Sequence, residues 1–165
     1  MQRVTLLLGS NDIAAETLVT KATEILDIAV GKIERISGDY RSAAYGFTAE
    51  REFVNRAVVL TTEYDAYEVL HRINAIEALL GRNRTEEQAV KSAKGEAYAS
   101  RPIDIDIIFY GTMTFNDERL TIPYHFLDER EYALRPVVDV MADFEHPALA
   151  MTPRAMLEAL TINAE

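Results

Sequence analysis

The chain of 165 residues contains no cysteine, which excludes disulfides and thiolate metal sites and is compatible with a reducing cytoplasm. It has no apolar run long enough to span a bilayer, and the apolar part of Met1-Gln2-Arg3-Val4-Thr5-Leu6-Leu7-Leu8-Gly9 is too short for a signal peptide. Positive charge is also scarce. Seventeen lysines and arginines stand against 27 acids, and the formal net charge of −10 opposes long-range attraction to nucleic acid or an anionic membrane. Three histidines (His71, His125, His146) without a cysteine leave no readable nucleophile triad. His71 reads as a surface residue of a helix, and no role is assigned to His146. Gly9-Ser10-Asn11 lacks the Gly-Lys-Ser/Thr ending of a Walker-type phosphate loop and reads as a strand-to-helix turn with an Asn or Ser cap. No repeat, low-complexity tract or linker divides the sequence. At 48% hydrophobic and 27% charged residues, the chain reads as one globular domain over residues 1–165.

Periodicity supplies the elements. Arg3 to Leu8 reads as a buried strand, followed by a helix from about Ala14 to Val30 with Leu18, Ala22, Ile25, Leu26 and Ala29 on one side and Gly31 at its end. Lys32 to Tyr40 reads as a second strand and Arg41 to Arg51 as a loop. In the strand Phe53 to Thr62, Phe53, Asn55, Ala57 and Val59 share one face, so Asn55 needs hydrogen-bond partners in an apolar setting. Asp65 caps the next helix, whose stripe is Val69, Ile73, Ile76 and Leu80 and which Gly81 closes. Thr85 to Ser100 is polar and poor in large apolar residues, the composition of a functional loop or lid. After the strand around Asp104, Gly111 turns the chain, Thr112 to Phe115 reads as a short hairpin partner, and Leu120 to Pro123 is extended. Short helices are expected at 128–134, 137–142 and 152–160. The order β-α-β-β-α-β predicts an α+β ferredoxin-like sandwich, a mainly antiparallel sheet with helices packed on one face and the other left for a site.

The chemistry concentrates in Arg101-Pro102-Ile103-Asp104-Ile105-Asp106-Ile107-Ile108-Phe109. A strand sends alternate side chains to one face, so Asp104 and Asp106 point the same way, about 7 Å apart. Two such carboxylates repel unless a cation or water lies between them. Magnesium with a polyphosphate accounts for them, because this ion is held by one or two carboxylates and completed by phosphate oxygens. The plainer alternative is an edge strand with a solvated outer face; the otherwise hydrophobic composition points instead to a central strand. Between Arg82 and Arg101, five cations (Arg82, Arg84, Lys91, Lys94, Arg101) face three acids (Glu86, Glu87, Glu96), a local excess of positive charge suited to capturing phosphate.

Taken in order, several segments resemble the hydroxymethyl-dihydropterin pyrophosphokinase family of folate biosynthesis. They are Gly9-Ser10-Asn11, Tyr40-Arg41-Ser42, Phe53-x-Asn55, Ile76-Glu77-x-x-x-Gly81-Arg82-x-Arg84, Arg101-x-x-Asp104-x-Asp106-Ile107, Arg119-Leu120-Thr121-Ile122-Pro123, Arg130-x-Tyr132 and Leu134-x-Pro136. The resemblance implies pyrophosphoryl transfer from ATP to 6-hydroxymethyl-7,8-dihydropterin with release of AMP. It implies that Asp104 and Asp106 hold two magnesium ions and that Arg82, Arg101 and Arg130 contact the phosphates, with Arg84 in the segment that closes over them. The pterin falls to Asn55, Phe53, Tyr132 and the stretch Ser42, Ala43, Ala44 and Tyr45. Glu77 belongs on the nucleotide side, with Ile107, Arg119 and Thr121 at the adenosine.

The chain departs from the family pattern at Pro123-Tyr124-His125, where the histidine is displaced by one and either Tyr124 or His125 serves the nucleotide. It also has a longer 85–100 loop, Tyr98 where a Trp often occurs, and Ala43-Ala44 in place of a proline pair. ATP and the pterin are the implied partners, without nucleic acid or membrane. Two other readings stand beside this one: a nucleotidyltransferase attacking the α-phosphorus and releasing pyrophosphate, and a ferredoxin-like binding module without turnover, in which Asp104→Ala leaves ligand affinity nearly intact.

Overall fold

The computed structural model of the chain describes residues 1–42, 52–82 and 102–164. The main sheet contains β1 (Gln2–Ser10), β2 (Lys32–Ile36), β3 (Tyr40–Ser42), β4 (Phe53–Thr62) and β5 (Asp104–Tyr110). Helix α1 (Ala15–Ala29) joins β1 to β2, and α2 (Ala66–Leu79) follows β4. The strand order is β2-β4-β1-β5 with β3 also on β4, every pair antiparallel, which is the ferredoxin-like arrangement. The sequence expectation of one strand over 32–40 and a loop from Arg41 is corrected here. Ser37, Gly38 and Asp39 break the strand, and Tyr40 to Ser42 form β3, because they find a partner in Phe53 to Asn55 that no local pattern announces. Gly9 and Ser10 likewise end β1 rather than forming a turn.

Helices cover both faces of this sheet, not one. On the first face Leu6, Leu8, Val58, Leu60, Ile105 and Ile107 pack against Val19, Ala22 and Leu26 of α1 and Val69, Ile73 and Ile76 of α2. On the second, Leu7, Ala57, Val59, Ile108 and Phe109 pack against α3 (Glu131–Met141) and α4 (Pro153–Ala164) through Leu134, Val137 and Met156. Each large side chain buried this way contributes about 1.5–3 kcal/mol. The sequence pattern divides α3 at Pro136, yet the helix runs through that proline after a single turn of 3-10 helix at Leu127–Glu129. Pro136 cannot donate to the carbonyl four residues back, and burial of its ring with Leu134 and Val137 offsets that loss. Among the described residues, no helix is long and apolar enough to cross a membrane.

β5 is an edge strand, which corrects the expectation of a central one. It carries a bulge: Thr5 opposes Phe109, but Leu6 opposes Ile107, so Ile108 is the extra residue. Ile105 and Ile107 therefore face the first core, while Ile108 and Phe109 both reach the second. Asp106 lies opposite Leu7, and residues directly opposite in an antiparallel pair share a face, so both aspartates project on the second face, beyond the end of the α3 and α4 packing. Near that edge the chain crosses the sheet. A short hairpin, β6 (Phe115–Asn116) with β7 (Thr121–Ile122), sends Leu120 and Ile122 into the first core. Two residues later, Tyr124 packs on the second, its N–H donating to the Ile108 carbonyl at 3.0 Å.

His146, left without a role by the sequence, is 5% exposed, in the loop between α3 and α4. Its Nδ1 accepts from the Ala148 and Leu149 amides at 3.1 and 3.0 Å, and its ring meets the edge of Phe109. Burial lowers its pKa below the ordinary histidine value, against a smaller opposing pull from Asp128. Below about pH 6.5 the unfolded chain takes up a proton that the fold resists, so this contribution to stability is present above that pH and is lost as pH falls through the folded-state pKa. His146→Asn, which keeps an acceptor near the Nδ1 position, is expected to flatten the fall of Tm between pH 7 and pH 5, measured by thermal denaturation at each pH.

Candidate active site

A row of paired residues crosses the sheet on its second face: Tyr40 opposite Asn55, Asn55 opposite Gly9, and Gly9 opposite Asp104. Asn55 and Asp104 are thus two strand spacings apart, about 10 Å, with only glycine between them. A Cβ on Gly9 would lie 3.3 Å from Asn55 Oδ1 and 3.8 Å from Phe53 Cδ1. The missing side chain leaves a shallow gap floored by backbone, with a buried amide at one end and two carboxylates at the other. Asn55, 3% exposed, donates from Nδ2 to Ser42 Oγ at 2.8 Å and to the Tyr40 carbonyl at 3.3 Å. Phe53 lies two residues from Asn55 on the same face.

The acid end is assembled from the last turn of α2. Asp65 Oδ1 accepts from the Glu68 amide at 2.8 Å and starts the helix. Gly81, at φ +102°, ends it, and the Arg82 amide donates back to the Glu77 carbonyl at 3.0 Å. This reversal points Arg82 inward. Its Nη1 donates to Glu77 Oε2 at 2.9 Å and to Asp104 Oδ1 at 2.6 Å, and the same Glu77 oxygen accepts from the Ile105 amide at 2.9 Å. Glu77 is 1% exposed, so its carboxylate holds the site from beneath instead of meeting a nucleotide directly. The sequence resemblance gives Arg82 to the phosphates; the bonds described for it here run to acids.

Helix α3 and the turn before it supply the opposite wall. The Arg130 guanidinium lies over the Phe126 ring at 4.0 Å, and its Nη1 donates to the hydroxyls of Tyr132 at 3.3 Å and Tyr124 at 3.5 Å. The two hydroxyls are 3.3 Å apart. Burial, the Tyr132 hydroxyl and the nearby charge of Asp106 push the Tyr124 pKa well above the ordinary phenol value, so Tyr124 stays neutral. Of the two alternatives left open by Pro123-Tyr124-His125, Tyr124 is the one within this group. His125 is exposed, its ring packed on the edge of Phe126.

Other predicted residues are placed differently. The side chain of Ile107, 7% exposed, is in the first core, away from the aspartates, so any contact with a nucleotide falls to its backbone on the sheet edge. Arg119 and Thr121 are exposed on the β6–β7 hairpin, with Arg119 over the Tyr67 ring at 5.2 Å and Tyr67 hydrogen-bonded to Asp117. Ala43, Ala44, Tyr45, Arg84, Arg101 and the 85–100 loop lie outside the described residues. The sequence missed Phe126 as a platform for Arg130 and Gly9 as the gap; an aromatic four positions before the arginine was the available signal for the first.

Comparison with known proteins decides the family. The model of the 7,8-dihydro-6-hydroxymethylpterin-pyrophosphokinase (HPPK) family matches residues 5–142. The chain belongs to the HPPK family. It is 33% identical over 154 residues to a 2-amino-4-hydroxy-6-hydroxymethyldihydropteridine pyrophosphokinase of Porphyromonas gingivalis, covering 93% of this chain and 99% of that one. An enzyme of the same name from Methylorubrum extorquens is 33% identical over 144 residues, 87% of this chain and 85% of that one. Among solved structures, a Plasmodium falciparum HPPK-DHPS chain superposes with a TM-score of 0.76 at 16% identity, covering 98% of this chain and 42% of the longer fused one; at that identity the likeness shows the fold.

In this HPPK chain Glu77 is the buried charge most exposed to loss of its partners. Removing one member of a buried pair costs about 3–5 kcal/mol because the other is left uncompensated. Glu77→Ala is expected to lower the unfolding free energy by about 3 kcal/mol, and Glu77→Gln by less since it keeps an acceptor for Ile105, as read by urea denaturation.

Proposed function

We propose that this chain transfers the pyrophosphoryl group of ATP to the hydroxymethyl oxygen of 6-hydroxymethyl-7,8-dihydropterin, releasing AMP, the folate-biosynthesis step for which its family is named. The observation that carries this reading is the row Asn55–Gly9–Asp104, which sets a hydrogen-bonding amide and a flat gap beside paired acids. Asn55 Oδ1 would accept from the donor edge of the heterocycle, with Phe53 and Tyr132 bounding its faces. Asp104 and Asp106 fit magnesium: they are hard oxygen donors on one face, and phosphate oxygens would complete a shell in which no third acid takes part among the described residues. Magnesium bound there would neutralise charge on the phosphate oxygens.

The substrate hydroxyl attacks the β-phosphorus in line, the bond from that phosphorus to the oxygen bridging to the α-phosphate breaks, and the hydroxyl proton passes to solvent. The residues contribute position and charge, as in phosphoryl transfer generally. Arg130, braced on Phe126 with Tyr124 and Tyr132 at its Nη1, would hold the phosphate chain, and Arg82 would hold Asp104 in place. Arg84 and Arg101 retain the phosphate roles that the family pattern gives them, and Arg119 and Thr121 that of the adenosine. We take residues 1–165 as one pyrophosphokinase domain acting in the cytoplasm, in keeping with a chain that has no cysteine.

Mixing the protein with magnesium, ATP and hydroxymethyl-dihydropterin is expected to produce AMP and the pterin pyrophosphate. ADP as product would make the chain an ordinary kinase, and free pyrophosphate a nucleotidyltransferase. Asp106→Ala is expected to lose turnover by about 10³-fold or more while retaining pterin binding; turnover unchanged in that variant would overturn the metal role.

A further inference from the structure

Asn55 can present an acceptor to a ligand only if its amide is held one way round, and what holds it is a strand of three residues. β3 pairs with β4 alone among the described residues, and its Tyr40 carbonyl and Ser42 hydroxyl take both hydrogen bonds described for Asn55 Nδ2. Oδ1 is thereby turned toward Gly9 and the gap. So short an edge strand needs anchoring from elsewhere, and the anchor comes from α3. Asp139 accepts the Tyr40 hydroxyl at 2.8 and 2.9 Å through its two oxygens, and Oδ2 also accepts the Gly38 amide at 3.0 Å. One carboxylate thus grips both ends of the Gly38–Tyr40 turn. The shared hydrogen bond raises the Tyr40 pKa above the ordinary phenol value, so the hydroxyl remains a donor.

We propose that the Tyr40–Asp139 contact fixes the orientation of the Asn55 amide, making Tyr40 and Asp139 positioning residues for recognition of the pterin. Resting on the pocket assigned above, this adds a residue pair that touches no substrate. It also gives α3 two duties: its first turn carries Tyr132 at one wall of the site, and Asp139, seven residues and about 10 Å along the helix, sets the strand behind the opposite wall. A side-chain amide free to turn over would offer donors where the heterocycle needs an acceptor, and the fault would appear in pterin binding alone.

The test measures binding of 6-hydroxymethyl-7,8-dihydropterin and of ATP separately, by calorimetry with a non-hydrolysable ATP analogue, together with KM and kcat, in Tyr40→Phe, Asp139→Ala and Asp139→Asn. Tyr40→Phe and Asp139→Ala are expected to weaken pterin binding by about 10-fold, the effect of losing one hydrogen bond, with nucleotide affinity and kcat within about twofold. The double variant Tyr40→Phe/Asp139→Ala is expected to be no weaker than either single one, since both remove the same contact. Asp139→Asn, which keeps an acceptor for Tyr40, is expected to recover most of the loss. Pterin affinity unchanged in these variants while Asn55→Ala has lost it overturns the inference and leaves the pocket standing. Equal losses of pterin and ATP affinity with a lowered Tm also overturn it, by making the contact merely structural. Unchanged pterin affinity in Asn55→Ala overturns the pocket itself, and this inference with it.

Discussion

A carboxylate 1% exposed to solvent cannot remain charged without partners, and Glu77 has them from two directions. It receives Arg82 from the cap of its own helix and the Ile105 amide from β5. The same Arg82 nitrogen reaches Asp104. Helix α2, the residue that follows it and the first residues of β5 are therefore joined by one buried charge, and the position of Asp104 along the sheet follows from that union. Residues 83–101 connect two ends that Glu77 already ties together, so the site's acid end does not depend on what that long segment does. The arrangement costs desolvation that a hydrophobic trio would avoid. What it supplies is a carboxylate whose direction is set before any ligand arrives, which is the requirement of a reaction that proceeds by positioning.

The division of the sheet into two faces turns that local arrangement into a site. The bulge at Ile108 gives Phe109 to the second core, while Ile105 and Ile107 keep β5 anchored in the first. Both faces of this edge strand are thus occupied by apolar packing along most of its length, and only Asp104 and Asp106 break the pattern where the C-terminal helices stop. The chain crossing from Ile122 to Tyr124 covers the edge itself and brings the aromatic and arginine wall up to the acids. A charged pair in that position is neither a solvated surface nor a sealed core, and that is the environment in which a bound cation and a polyphosphate gain most from it.

Much of this was legible before any coordinates, and what was legible had a short-range cause. Alternation placed Asp104 and Asp106 on one face, the spacing of Phe53, Asn55, Ala57 and Val59 set the face of β4, and Asp65 with Gly81 delimited α2. The failures share a different cause. β3 exists because Tyr40 to Ser42 meet Phe53 to Asn55, a pairing that the sequence of neither segment announces. Helix α3 survives Pro136 because tertiary burial outweighs one lost hydrogen bond, and the second helical layer, unforeseen, is the body it packs with. Gly9 reads as a turn residue because an absent side chain looks the same whether it frees the backbone or clears a floor; only the neighbours Asn55 and Phe53 distinguish the two. His146 gave no signal because its role is to accept from amides two and three residues ahead, which any loop histidine could do and few have reason to.

The displaced histidine at Pro123-Tyr124-His125 gains meaning in this setting. Tyr124 stands beside Asp106 and Arg130, and its phenol is held neutral by burial, by Tyr132 and by the Asp106 charge. A histidine there, with an ordinary pKa near 6.5, would change charge close to neutral pH. The phenol does not, so the hydrogen bonds it can offer are the same at pH 6 and pH 8. Positive charge for a polyphosphate must then come from guanidinium groups, which keep their protons at any pH in this range. In a chain with a formal charge of −10, nothing at long range draws an anion in. Capture therefore falls to the arginines at contact distance. Tyr124 and Phe126, by bracing Arg130 from its edge and its face, hold the described wall of that capture in register with the acids.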